Sequence, residues 1–284
     1  MICKGYTDTR HGQVHYVESV EPGVGQPAGS DTAVLLLHQT PRSWDEYRDV
    51  LPLLAARHRV IAPDTLGFGS SDSPAGPWSI ELFADGVEDL VGALGLGRLS
   101  VVGHHTGGVI GLELAARRPE LVTALVLSGV PYVDAPRRAA VSGQPSIDGV
   151  PISDDGSHYQ ALWNKRVSFY PVDRPDLLHR LVRDAVRVHD RVEEGHLAVN
   201  AYRMEERIGL VRAAALVVCG ELDTFSLPDV PKLMAQLPGA STATLQGVGV
   251  PSVEQDPVQF AAVVAEFLDS VNVERPVEWR PDRR

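Results

Sequence analysis

The sequence predicts an α/β fold, a doubly wound and mostly parallel sheet with an inserted helical segment. Three observations predict it. Continuous apolar runs such as AVLLLHQ, ALVLSGV and AALVVCG read as strands covered on both faces. Segments of helical period alternate with them, in the order βαβαβαβ, which implies parallel pairing through crossover helices. Between about Pro131 and Leu210 no buried-strand run occurs, and the strands resume at about Ala213.

The elements follow in order. QVHYVESV alternates as a half-buried strand does, and the Gly- and Pro-rich EPGVGQPAGSD reads as a loop. AVLLLHQ is the next strand. SWDEYRDVLPLLAAR follows as one helix with Ser43 as its N-cap. RVIAPD is a short strand that ends in the loop TLGFGSSDSPAGP. From Ser79 to Leu94 the apolar positions Ile80, Phe83, Val87, Leu90 and Val91 recur at helical spacing. RLSVVG is a strand, and Val109, Ile110, Leu112 and Leu114 mark the helix after it. ALVLSGV closes this half. Beyond the insertion come AALVVCG, a helix over about Pro228–Leu237, the strand STATLQ and a terminal helix over Pro257–Val271.

The insertion opens with a Pro- and Gly-rich loop and continues as helical segments bearing Tyr159, Trp163, Phe169 and Tyr170. Helices placed between two sheet strands are expected to cap the carboxyl edge, where open α/β sheets bind ligands. The expected division is a core of residues 1–130 and 211–271, a cap of 131–210 and a tail of 272–284.

A formal charge of −11 excludes a nucleic-acid binder that works through a basic face. Two cysteines, Cys3 and Cys219, give no disulfide framework. The polar N-terminus lacks the apolar core of a signal peptide. No apolar run approaches the roughly 20 residues that span a bilayer. The expectation is a cytoplasmic protein with a small-molecule substrate, no nucleic-acid or membrane partner, and a monomeric or homodimeric state.

The chemistry concentrates in VVGHHTGG, where Gly103 and Gly107 frame His105. G-x-Nu-x-G is the sharp strand-to-helix turn that presents a nucleophile at the top of a sheet. With this motif in place, the chain resembles the α/β-hydrolase fold from end to end, in the lidded form of epoxide hydrolases, haloalkane dehalogenases and carbon–carbon bond hydrolases. LLLHQTPRSWDEY resembles the segment that helps build the oxyanion hole, and VIAPDTLGFGSSDSP the strand and loop after it. VVGHHTGGVIGLELAARRPELVTALVLSG resembles the elbow, its helix and the next strand. CGELDTFSLP and GVGVPSVEQDPVQF resemble the acid loop and the histidine loop.

The resemblance implies that Asp223 stands at the acid position, and that Thr40 and Thr106 supply oxyanion N–H groups. It also marks three departures. His105 is at the nucleophile position, Val250 stands where the loop histidine belongs, and Gln39 replaces the glycine after His38. A serine mechanism requires a hydroxyl and a loop imidazole, and neither is at its place. The expectation is therefore a His105–Asp223 dyad in which the carboxylate raises the imidazole's basicity. His38, Gln39, His104, Tyr159, Trp163 and Val250 are expected around the pocket. No metal spacing and no cofactor motif is present.

The expected function is non-hydrolytic acid/base chemistry, such as cyclisation, isomerisation or carbon–carbon bond formation, on an apolar, aromatic or polyketide-type natural-product intermediate. The alternatives are a non-catalytic small-molecule binding protein and a hydrolase with His105 as nucleophile.

Overall fold

A computed structural model of the chain describes residues 2–19 and 32–273. Of the sequence expectations, the loop at 21–31 and nearly all of the tail at 272–284 lie outside the described residues. The strands are β1 (Ile2–Thr9), β2 (Gly12–Ser19), β3 (Thr32–Leu37), β4 (Arg59–Pro63), β5 (Arg98–His104), β6 (Val122–Ser128), β7 (Ala214–Gly220) and β8 (Ser241–Leu245). The helices are α1 (Leu51–Ala55), α2 (Ile80–Ala93), α3 (Thr106–Arg117), α4 (Ala135–Val141), α5 (Ser157–Arg166), α6 (Pro175–Val188), α7 (Glu194–Ala201), α8 (Met204–Arg207), α9 (Val230–Gln236), α10 (Ser252–Gln255) and α11 (Pro257–Val273).

All eight strands form one sheet in the order β1-β2-β4-β3-β5-β6-β7-β8. From β4 to β8 the pairs are parallel, while β1–β2 and β2–β4 are antiparallel. The α/β-hydrolase fold is therefore present, with the mostly parallel sheet that the apolar runs imply. Alternate residues of β3 feed opposite cores. Leu35 and Leu37 pack with α2 and α3, whereas Val34 and Leu36 pack with Leu51 and Leu54 of α1 and Phe260 and Val264 of α11. This period of two buries both faces of the strand.

Two elements differ from the sequence expectation. β1 was not anticipated because ICKGYTDT is polar and mostly exposed; it is an edge strand held by full pairing with β2. The single helix expected from Ser43 is two pieces, a 3₁₀ turn at Trp44–Tyr47 and the short α1. Pro52 lies in the first turn of α1, where its missing N–H costs nothing, but it cannot continue a helix from before it. Ser43 does cap the first piece, its side chain accepting from the Asp45 N–H.

β4 lies on one side of β3 and β5 on the other, so the order in which strands join the sheet reverses there. Crevices at such switch points receive ligands. The loop after β3 (His38–Gln39–Thr40) and the turn after β5 (His105) meet there.

The close approach of α3 to the sheet depends on glycine. A Cβ on Gly107 would overlap the Leu37 carbonyl, and one on Gly103 would overlap the backbone at Gly107 and Gly108. Backbone cannot yield as a flexible side chain can. Gly107→Ala is expected to destabilise the protein by about 1–3 kcal/mol, read as a lower urea midpoint at unchanged slope. A wild-type midpoint would contradict this packing.

Candidate active site

His105 stands alone between β5 and α3, at φ 44° and ψ −110°. It is the one non-glycine residue with positive φ among the described residues. Such a conformation costs on the order of 1–3 kcal/mol and persists only where its surroundings over-determine it. Here they do: the His105 N–H donates to the Ser128 carbonyl at 2.9 Å, and its carbonyl accepts from Gly108 at 3.0 Å.

The turn floors a cavity of about 150 Å³. Gln39, Thr40, Thr106 and Val250 line it from the sheet side, and Arg166, His196 and Asn200 from the cap side. Thr106 opens α3, so its N–H has no intrahelical acceptor. The Thr40 N–H reaches the Thr106 hydroxyl at 3.3 Å. Thr106 directly follows His105 and the Thr40 N–H lies against the Thr106 hydroxyl, so both residues flank the elbow. Three buried polar atoms on cavity-lining residues, Thr40 Oγ1, His105 Nε2 and Arg137 Nε, have no hydrogen-bond partner among the described residues. Buried polar groups are ordinarily paired, so these three are exceptions on residues that line one cavity.

The expected His105–Asp223 dyad does not form. Asp223 Oδ1 accepts from the N–H groups of Phe225 and Ser226, each at 3.0 Å, and so serves its own loop. Asp223 Oδ2 and His105 Nε2 each lie 3.3 Å from the point where a Cβ on Gly129 would stand, and His105 Nε2 has no hydrogen-bond partner among the described residues. The expected rise in basicity is also reversed. Burial, and next the charge of His104, hold the His105 imidazole well below 6.5, so the ring is neutral at pH 7.

Several residues expected at the pocket are elsewhere. His38 spends both ring nitrogens on backbone, Nδ1 with the Gln39 carbonyl at 2.8 Å and Nε2 with the Thr65 N–H at 2.9 Å. His104 lies beneath the elbow, its Nδ1 bonded to Glu46 at 2.9 Å, because successive side chains on a strand point to opposite faces. Trp163 packs with Tyr170 and Leu177 inside the cap. Tyr159 is half exposed and lines a separate cavity beside Val150 and Leu162. Gln39 and Val250 do line the cavity, with the Gln39 amide held by Glu46 at 2.7 Å.

Sequence reasoning missed the polar side of the cap. The Arg166 guanidinium grips Asp148 through Nε at 2.6 Å and Nη2 at 2.5 Å, and His196 Nε2 meets the same carboxylate at 2.7 Å. Asp148, Arg166 and His196 come from a loop, the end of α5 and α7, so no spacing announces them. Attention to charged rather than aromatic residues of the insertion was the only signal. Among the described residues no group of His, Cys, Asp and Glu gathers as metal ligands.

Beneath the elbow, Glu46 accepts from the Gln39 N–H and Nε2 as well as facing His104. Burial pushes its carboxyl up, but His104 and then Arg42 outweigh burial and hold it at about 2, against an ordinary 4.5. A lowered carboxylate stabilises the fold above the unfolded value, and that contribution is lost as pH falls from about 4.5 through about 2. We expect this segment of the acid-denaturation profile to be missing in Glu46→Gln, which is also less stable than wild type at pH 7. Parallel pH–stability profiles for the two chains would contradict the assignment.

Comparison with known proteins bears on both the fold and the chemistry. The family model described as "alpha/beta hydrolase fold" matches residues 32–249. A soluble epoxide hydrolase of Corynebacterium sp. is 39% identical over 100 residues, covering 35% of this chain and 35% of that protein. Haloalkane dehalogenase 2 of Mycobacterium tuberculosis is 36% identical over 121 residues, covering 42% of this chain and 39% of that one. These matches span well under half the length of the curated relatives. An enol-lactonase from Burkholderia xenovorans superposes with a TM-score of 0.75 at 21% identity, covering 93% of this chain and all of that one. An epoxide hydrolase from Vigna radiata gives a TM-score of 0.75 at 16% identity, covering 95% of this chain and 98% of that one. The named relatives are hydrolases, which overturns the expectation of non-hydrolytic chemistry. From β3 to the loop that carries Val250, the chain belongs to the α/β-hydrolase fold family, a family of enzymes.

Proposed function

We propose that the chain hydrolyses a small acyl compound, a short ester or lactone, with the His105 imidazole as nucleophile and without a cofactor. One observation carries the reading: a neutral imidazole occupies the strained nucleophile turn at the floor of the cavity. Only a neutral ring has a lone pair to offer. The hydrolase names of the relatives support the reaction class, and the cavity volume supports a small acyl group.

The chemistry balances without an added reagent. A ring nitrogen of His105 adds to the acyl carbon, and the carbonyl oxygen gathers negative charge beside the N–H groups of Thr40 and Thr106. The bond to the leaving alkoxide breaks, and the alkoxide takes the proton from the other ring nitrogen. An acylimidazole remains. Its deprotonated state suits a site whose burial disfavours a cation on this ring. Water then adds to the acyl carbon, the acid departs and the imidazole regains its proton.

The acyl group occupies the cavity while the leaving group lies at its mouth, between the partly exposed rings of Phe169 and Phe225. We expect hydrolysis of 4-nitrophenyl acetate and propionate with a steep fall by the octanoate, and a loss in kcat/KM of about 10³-fold or more in His105→Ala. Equal rates for wild type and His105→Ala would refute the role of the elbow. Tight binding of short esters without turnover would assign the cavity to recognition alone.

A further inference from the structure

The cavity has a second ionisable wall that the nucleophile does not use. Asp148, fully buried, is held by the Arg166 guanidinium through two hydrogen bonds of 2.6 and 2.5 Å. His196 approaches the same carboxylate at 2.7 Å through Nε2. His196 and Arg166 both line the cavity that His105 floors, whereas the Asp148 side chain lies behind them. On the sheet side, the place of the loop histidine is taken by Val250, which has no proton to move.

We propose that His196, oriented by Asp148, is the general base that activates water against the acylated His105, so that the cap supplies the proton-transfer group. The inference rests on the covalent reading above. Nε2 also lies 3.1 Å from Arg166 Nη2, but its shorter contact is with the carboxylate. A ring that donates Nε2–H to a carboxylate keeps its lone pair on Nδ1. Nδ1 takes a proton from water as the water oxygen bonds to the acyl carbon. When the C–N bond to His105 breaks, that proton passes to the departing imidazole. The acid is released, and both rings return to their starting state.

The other charged groups on this wall bear on the roles. Arg166 is already committed to Asp148 through Nε and Nη2. Asp148 and Arg166 are therefore positioning residues, and His196 is the catalytic one. Gly195, next to it, packs against Thr40 and Phe68 so closely that a Cβ would overlap both, which fixes α7 over the oxyanion loop. A base on this helix is thus held on the side of the cavity that the oxyanion loop borders.

Stopped-flow release of nitrophenolate from 4-nitrophenyl acetate tests the proposal. In His196→Ala we expect the stoichiometric burst to persist while the steady-state rate falls by about 100-fold or more. Added imidazole, a diffusible base, should restore turnover in proportion to its concentration. His196→Gln retains a donor toward Asp148 and should show the same burst without turnover, which separates lost base from lost fold. Asp148→Asn should lose less, with no rescue by imidazole. Steady-state rates in both His196 variants within about threefold of wild type, or a loss that imidazole does not rescue, would overturn the proposal. Turnover lost in His196→Ala and rescued by imidazole, but with no His105-dependent burst in any chain, would instead retain the base and refute the covalent role of His105. A wild-type chain that neither acylates nor turns over refutes both.

Discussion

The packing of α3 on the end of β3 is the constraint on which the site depends. Because Gly107 lies against the Leu37 carbonyl, the chain must turn from β5 into α3 within one residue, and that residue takes φ 44°. Three consequences follow from the one turn. The His105 ring faces the cavity rather than the core. The Thr106 N–H is left free at the start of a helix, where the partial positive charge favours an oxyanion. His104, one residue earlier on the strand, points the opposite way and closes on Glu46. The two adjacent histidines thus have unrelated roles set by backbone geometry alone.

Beneath the turn the support is ionic rather than apolar. Arg42, fully buried, joins Asp184 of α6 to Glu254 of α10, and Asp45 meets Arg180 and Arg183 of α6. Buried pairs of this kind repay their desolvation only with good geometry, and their removal one partner at a time is costly. What they provide here is position: they tie the loop after β3, the cap and the loop after β8 to one another around the cavity. The same burial that makes these pairs demanding keeps His105 neutral.

Much of the fold was legible because it is written in hydrophobic period. The runs at β3, β5, β6 and β7 are covered on both faces, and α2 shows its apolar stripe. The edge strand β1 was hidden because its stability comes from pairing with β2 rather than from burial of its own side chains. The elbow turn and the cavity positions of Gln39, Thr40, Thr106 and Val250 followed from motif order. Electrostatic detail did not follow. Whether Asp223 bonds to His105 depends on where the amides of Phe225 and Ser226 fall, and the basicity of His105 depends on burial that no local spacing encodes. The Asp148–Arg166–His196 group was equally invisible, since its members are separated in sequence and meet only when the cap folds.

The central claim is that the elbow imidazole becomes acylated. The most direct measurement is peptide mapping by mass spectrometry of the chain quenched in acid during reaction with a short activated ester, using His196→Ala to slow loss of the adduct. The account predicts one acyl group on the peptide containing His105, absent when that residue is alanine. Turnover of the ester with no acylated His105 peptide would contradict it.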